Sequence, residues 1–301
     1  MKYIIDWLTE DENPAIKYRT LTEICGKSFL GYQDVYNLIW EQKSITKMLE
    51  KQNEYGLWSD KDYGVHTPLR YLTAFAEHGL HLDKRLDSYV DYVIRQLQSY
   101  EIVGDLSGCS TPLTLRALVM LKYYKRDDVM DLVLKFSNTQ LNDGGFMCKM
   151  KLDKNPHHKS CYNAAVASLL LYAECKRNNI LLNNTESLIQ YFIKRDIFYS
   201  SDKSKSLYEK GKIGWRFIDN FFPVEPMRMG LPLIVSALSI LGIGNNPALT
   251  ESWKLLKEKE GESGKLKLEG TLTKQPCSFG KVEQVNKWLT FYALLAKKYC
   301  P

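Results

Sequence analysis

The chain is expected to be all-α, a closed or stacked array of helical hairpins, and three observations predict this. A short Gly-aromatic motif recurs between helical segments, at Gln52 to Trp58 (QNEYGLW) and Gln140 to Phe146 (QLNDGGF), with a faint echo at Gly214-Trp215. A helix–loop–helix unit repeated at a roughly constant period usually stacks on its neighbours. Capping side chains stand just before prolines at Asn13-Pro14, Thr67-Pro68, Thr111-Pro112 and Asn246-Pro247, and each pair predicts a helix start. Finally, two kinds of helical segment alternate, and nothing reads as a strand run long enough for a sheet.

The segments opening at Thr67 (TPLRYLTAFAEHG) and Thr111 (TPLTLRALVMLKY) resemble each other, and Pro232 (PLIVSAL) begins a third echo. All three are apolar nearly all round, the pattern of a buried helix. Leu86 to Leu97, Val129 to Phe136, Leu188 to Ile193 and Leu249 to Leu256 instead carry apolar residues at three- and four-residue spacing with charges between, which predicts an outer layer. About five or six such inner–outer pairs are expected. A ring of inner helices inside a ring of outer ones covers both sets. The inner ends would surround a central cavity, with the loops carrying Trp58, Cys148 and Trp215 near its mouth. Residues 1–301 form one domain on this expectation, since no Pro/Gly/Ser-rich linker divides them, and 200–212 is the best candidate for a mobile excursion.

Composition excludes several classes. The chain is 45% apolar and 25% charged, the balance of a globular protein. Asp6, Glu10, Asp11 and Glu12 interrupt any early apolar run, so neither a signal peptide nor stable membrane insertion is expected and the protein is placed in the cytoplasm. Seven cysteines, with no CxxC pair, are too sparse for a disulfide framework or a zinc ribbon. The net charge of +6 is modest and its lysines alternate with acids, as in 254–260, so no nucleic-acid surface is expected. No phosphate-cradling glycine loop follows a strand, and Gly242-Ile-Gly244 suits a helix end, so no nucleotide cofactor is expected.

The Gly-aromatic loops resemble the Gln-Gly-Trp/Phe repeats of the terpenoid cyclase and protein prenyltransferase superfamily, whose fold is an α/α toroid. The resemblance runs along most of the chain and is nearest to small stand-alone bacterial prenyltransferase-like proteins. It includes Asp143-Gly-Gly-Phe-Met-Cys148, His158-Lys-Ser-Cys161, Phe222 to Gly230 and the closing Lys287-Trp-Leu-Thr-Phe-Tyr-Ala-Leu-Leu. It implies a transferase or cyclase acting on an isoprenoid or a similarly apolar, anionic substrate in the cavity. The Asp-x-Asp-Asp acid of class II cyclases is missing, with Asp60-Lys-Asp62 the nearest approach, which disfavours that mechanism. Asp127-Asp128-Val-Met-Asp131 matches a magnesium-diphosphate pattern, yet acids that open an outer helix are explained by the helix dipole alone.

Members that transfer prenyl groups use zinc to turn a substrate thiol into a thiolate. The family's Asp-x-Cys pair is lacking here. Cys109, Cys148 and His158 are candidate zinc ligands, with Cys161 as the fourth or not a ligand; ordinary buried cysteines and an exposed His157-His158 pair are the alternative. His66 at the rim is a candidate general acid or base, or simply a residue at a helix start. Asp105 is a candidate proton carrier, or a loop cap. Trp58, Tyr63, Tyr162, Trp215 and Trp288 are candidates to line the apolar site, although core packing accounts for most such aromatics. Arg70, Arg216 and Arg228 could pair with diphosphate or carboxylate, or form surface salt bridges. Two further hypotheses keep the array without the chemistry: a lipid or isoprenoid carrier, and an interaction protein whose centre is filled by its own aromatics.

Overall fold

The computed structural model describes residues 2–99, 109–147, 160–203 and 215–300, with the side chains of Trp215 and Arg216 outside that description. The chain is all-helical, and among the described residues there are isolated bridges, such as Phe221 with Gly270, but no strand. Its α-helices in chain order are α1 (Lys2–Leu8), α2 (Pro14–Arg19), α3 (Gln33–Glu41), α4 (Lys43–Leu49), α5 (Thr67–Glu77), α6 (Lys84–Ser99), α7 (Ser110–Met120) and α8 (Asp127–Ser137). There follow α9 (Tyr162–Arg177), α10 (Thr185–Ile193), α11 (Trp215–Ile218), α12 (Leu231–Ile240), α13 (Thr250–Glu260) and α14 (Lys287–Lys298). Helix α2 runs on into a π-helical turn, Thr20–Ile24. Among the described residues no helix is long and apolar enough to cross a membrane.

The two predicted kinds of helix are both present. Every residue of α7 and of α12 is buried, whereas α6, α8 and α10 bury one face each, such as Leu86, Val90, Val93 and Leu97 in α6. The buried helices pack side by side in chain order, α5 on α7, α7 on α9, α9 on α12 and α12 on α14. They also run in one direction. Ser110 opens α7 3.4 Å from His66 at the start of α5, and Asn163 in the first turn of α9 meets Met227 just before α12. At the other end Gly79, Lys122, Arg177 and Tyr299, which follow or close α5, α7, α9 and α14, line one cleft.

Two of the four predicted caps form. Asn13 accepts from the Ile16 N–H (3.2 Å) and Asn246 from the Ala248 N–H (3.0 Å), the latter opening a short 3-10 turn before α13. Thr67 and Thr111 do not cap, because α5 begins one residue and α7 two residues earlier than the Thr-Pro pairs predict, after His66 and Cys109. The Thr67 hydroxyl instead accepts from the Tyr63 N–H (3.2 Å) and donates to the Gly64 carbonyl (2.8 Å), closing the turn that precedes the helix.

The two Gly-aromatic loops are one structure built twice. The Gln52 and Gln140 amides donate to the carbonyls of Gly56 (2.9 Å) and Gly144 (2.8 Å), and both glycines sit at positive φ. At Gly144 an added Cβ would meet the Ser187 carbonyl oxygen at 2.1 Å, so the loop needs glycine to lie against the first turn of α10. The ring at the end of each loop then wedges between layers: Trp58 stacks on Tyr71 of α5 and meets Tyr89 of α6 edge-on, and Phe146 stacks on Phe136 of α8 and meets Tyr172 of α9.

At the centre lies a buried chain of alternating charge. Arg116 of α7 pairs with Glu77 of α5 (2.9 Å), Glu77 with Arg19 of α2 (2.9 Å), and Arg19 with Glu23 of the π-helical turn (2.7 Å). Glu23 continues to Arg177 of α9, which also holds Glu174 (3.0 Å). The Tyr292 hydroxyl of α14 donates to Glu77 (2.6 Å) and accepts from Arg116 (2.8 Å), so α2, α5, α7, α9 and α14 are joined by one network of equal positive and negative charge. Balance of this kind is what allows charges to be held away from water.

Candidate functional site

At the amino ends of the buried helices a cleft of about 580 Å³ is lined by Lys61, Arg70, Arg228 and Lys274, with Asp62 and Glu225 the carboxylates among its lining residues. Four elements deliver it. The loop after the first Gly-aromatic motif brings Lys61, Asp62 and Tyr63; the first turn of α5 brings Arg70; the segment ahead of α12 brings Phe221 and Arg228; and the long connection before α14 brings 271–274.

Both arginines are oriented before any ligand arrives. Arg70 lies 5.2 Å from the centre of the Tyr63 ring and donates to the Lys274 carbonyl. Arg228 lies 4.2 Å from the centre of the Phe221 ring, with Nη2 on Asp219 at 2.7 Å. Gly270 makes room for it: a Cβ there would stand 2.9 Å from Nη2. Asp62 accepts from the Tyr71 hydroxyl (2.7 Å), which ties the cleft floor to α5. Burial, reinforced by Asp62, pushes the Tyr63 phenol above its ordinary value and keeps it neutral beside Arg70. Aromatic faces that fix guanidinium planes leave the remaining N–H groups aimed as a fork, a geometry suited to phosphate and carboxylate oxygens.

His66 is half-buried at the same end, and burial, together with the Arg70 charge, lowers its pKa so that the neutral imidazole is favoured at neutral pH. A second cleft of about 490 Å³ adjoins, sharing Tyr63, Thr273 and Lys274 and reaching Cys277, whose thiol burial pushes up to about 12. Lys61, Lys274 and Cys277 entered no sequence-based site, whereas Phe221 belongs to the aromatic cluster that the sequence places at the cavity. The two lysines carried no local signal, since exposed lysines are common throughout the chain.

The remaining candidates separate. Trp58 is a core residue and does not line the cavity mouth: it is 3% exposed and its indole N–H donates to the Met48 carbonyl (2.7 Å), so both its ring and its polar edge are committed to packing. Trp288 is likewise buried, stacked on Phe222 and packed edge-on to Phe279 and His78. Tyr162 stays half-buried, its hydroxyl donating to the Ile197 carbonyl (3.0 Å) and its ring edge-on to Phe217. Cys109 and Cys161 are buried and immediately precede the first turns of the adjacent helices α7 and α9, at one end of the molecule. Among the described residues no three His, Cys, Asp or Glu side chains gather as a metal site. Asp105, Cys148 and His158 lie outside the described residues, as do the side chains of Trp215 and Arg216 and all but the first residues of 200–212. Asp128 of the Asp127/Asp128/Asp131 triplet is engaged as a helix-start acid, pairing with Arg126 (2.8 Å). No family model, curated protein or solved structure matches the chain.

Proposed function

We propose that the five buried helices and their covering layer close as an α/α toroid, and that the amino-end cleft binds the anionic head of an otherwise apolar substrate. On this reading the protein is a prenyltransferase-like enzyme acting on an isoprenoid diphosphate or a close chemical equivalent. One observation carries the reading: Arg70 and Arg228, far apart in sequence, line one cleft, each held against an aromatic ring, and cations outnumber carboxylates there by four to two. Asp219 already pairs with Arg228, so the net excess is at most one positive charge, carried by Arg70 and the two lysines, and His66 nearby supplies a neutral base or hydrogen-bond donor.

Zinc belongs to the same proposal. Cys109 and Cys161 supply two soft ligands at the starts of neighbouring helices, and Cys148 and His158 would complete the set. Bound there, the metal would lower the pKa of an acceptor thiol. Cys109 and Cys161 would hold the metal, and the arginines would hold the diphosphate.

A second reading, a non-catalytic binding or helical-array interaction protein, draws support from the centre of the molecule, where the Arg116–Glu77–Arg19 pairs and Tyr292 fill space between α5, α7 and α14. Calorimetric titration with farnesyl diphosphate separates the two. Saturable binding that weakens at least tenfold in both Arg70→Ala and Arg228→Ala supports the enzyme reading; no binding to the wild-type protein removes it. Metal analysis tests the zinc: one equivalent lost in Cys148→Ser and His158→Ala is expected, and no metal in any preparation excludes it.

A further inference from the structure

At the opposite end of the molecule a cleft of about 450 Å³ opens where the carboxyl ends of α5, α7, α9 and α14 meet the π-helical turn Thr20–Ile24. Its volume falls in the usual range of small-molecule sites. Its floor is the alternating charge chain. Both carboxylates that line it, Glu23 and Glu174, are already engaged by Arg19 and Arg177. Three more cations stand on the walls, Lys27, Lys122 and Lys298, and no salt bridge joins any of them to another described residue. Lys122 Nζ donates to the Asn178 side-chain oxygen and Lys298 Nζ to the Glu23 main-chain carbonyl (2.6 Å), both neutral acceptors. Carbonyl ends of helices favour cations, which accounts for part of this surplus.

The backbone supplies an independent observation. Four buried helices end the same way, with a left-handed residue one step past the cap: Gly79 (φ 75°), Lys122 (φ 67°), Asn179 (φ 58°) and Gly242 (φ 98°). Glycine and asparagine take that conformation readily, whereas a lysine there is strained. Of the four, only the strained residue is charged, and it lines the cleft. Strain retained against an easy glycine alternative is a mark of binding sites. Burial also pulls the Lys122 ammonium below its ordinary pKa, a cost that a bound anion would relieve. The π-helical turn adds a second local irregularity, delivering Thr22 and Glu23 to the same cleft, and such turns recur at functional sites.

We propose that the carboxyl-end cleft is a second anion site, distinct from the Arg70/Arg228 cleft, which takes a small, multiply charged phosphate compound on Lys122, Lys298 and Lys27. Ammonium groups act as point charges for phosphate, while the guanidinium forks of this cleft are already spent on carboxylates.

The test is titration with inorganic pyrophosphate at low salt, by calorimetry, on the wild-type protein, the double variant Arg70→Ala/Arg228→Ala, and Lys122→Gly built into that double variant. Glycine accepts the left-handed backbone freely, so Lys122→Gly should keep or raise Tm while weakening pyrophosphate at least tenfold. Lys298→Met, in the same background, is the second variant and should weaken binding similarly. Saturable binding to the Arg70→Ala/Arg228→Ala protein that falls in both lysine variants supports the site. No binding to the double variant, or unchanged affinity in the lysine variants, overturns it, whatever farnesyl diphosphate does at the amino-end cleft.

Discussion

The centre of the molecule and its amino-end cleft both set arginines against aromatic rings, yet they differ in what the guanidinium is offered. Arg19, 1% exposed, lies 4.4 Å from the centre of the Phe291 ring and is held by Glu23 and Glu77. Arg70, half-buried, lies against Tyr63 with a main-chain carbonyl as its partner and no salt bridge among the described residues. Charge removed from water needs an opposite charge, and the centre provides one for each of its arginines. A charge at the mouth of a cleft is still hydrated and can await a ligand. The comparison teaches that the same residue pair is structural or receptive according to local charge balance and burial, neither of which a motif records.

Four substitutions or conditions would break or sharpen this contrast. The largest effect is expected from Glu77→Ala, which strands Arg19 and Arg116 in the core; breaking a buried pair costs about 3–5 kcal/mol, read as a lower urea midpoint. If stability instead held within about 1 kcal/mol, the centre would not be the strut described here. Trp58→Ala should destabilise by about 3–4 kcal/mol through loss of a buried ring, with anion affinity unchanged within about threefold. A tenfold loss of affinity would return Trp58 to the site.

The third test is pH. Burial lowers His78 and His81 to about 4, from an ordinary 6.5, so the folded state prefers them neutral. Their contribution to stability is complete above about 6.5 and is lost as pH falls from there toward about 4, because the unfolded chain takes up protons first. Below that range the carboxylates follow. Burial raises Glu23, but Arg19 and Arg177 outweigh it and hold the carboxyl below its ordinary value, so its contribution is present above about 4.5 and lost on acidification. Tm measured from pH 8 to pH 4 should therefore fall in the acid half, and His81→Asn should flatten the upper part of that fall; an unchanged slope would remove His81 from the account. The smallest effect is expected from Gln140→Ala, about 1 kcal/mol for one loop hydrogen bond, with a somewhat larger loss for Gln52→Ala, whose amide also donates to the Arg85 carbonyl.

Much of the fold was legible because periodicity and glycine chemistry are local. The amphipathic stretch from Leu86 lies inside α6, the apolar run from Thr111 is helical in α7 as far as Met120, and both Gly-aromatic loops have the tethering role that their repetition suggests. Thr67 misled because a threonine before proline can bond backward into a turn as readily as forward into a helix, and Thr111 because α7 has already begun at Ser110. The site was legible only in part. Tyr63, Arg70 and Arg228 reach one cleft, but Trp58 and Trp288 went to the core: an aromatic run is the same in sequence whether its rings face a ligand or each other.

The sequence by itself determined the helices, their alternation between buried and amphipathic faces, and the loops that join the layers, since each depends on residues within a turn or two of one another. The tertiary structure decided the rest. Glu77 meets Arg19 across 58 residues and Tyr292 across 215, and only that convergence balances the central charges. Electrostatic energy depends on distance in space and on exclusion of water, and neither quantity is written along the chain.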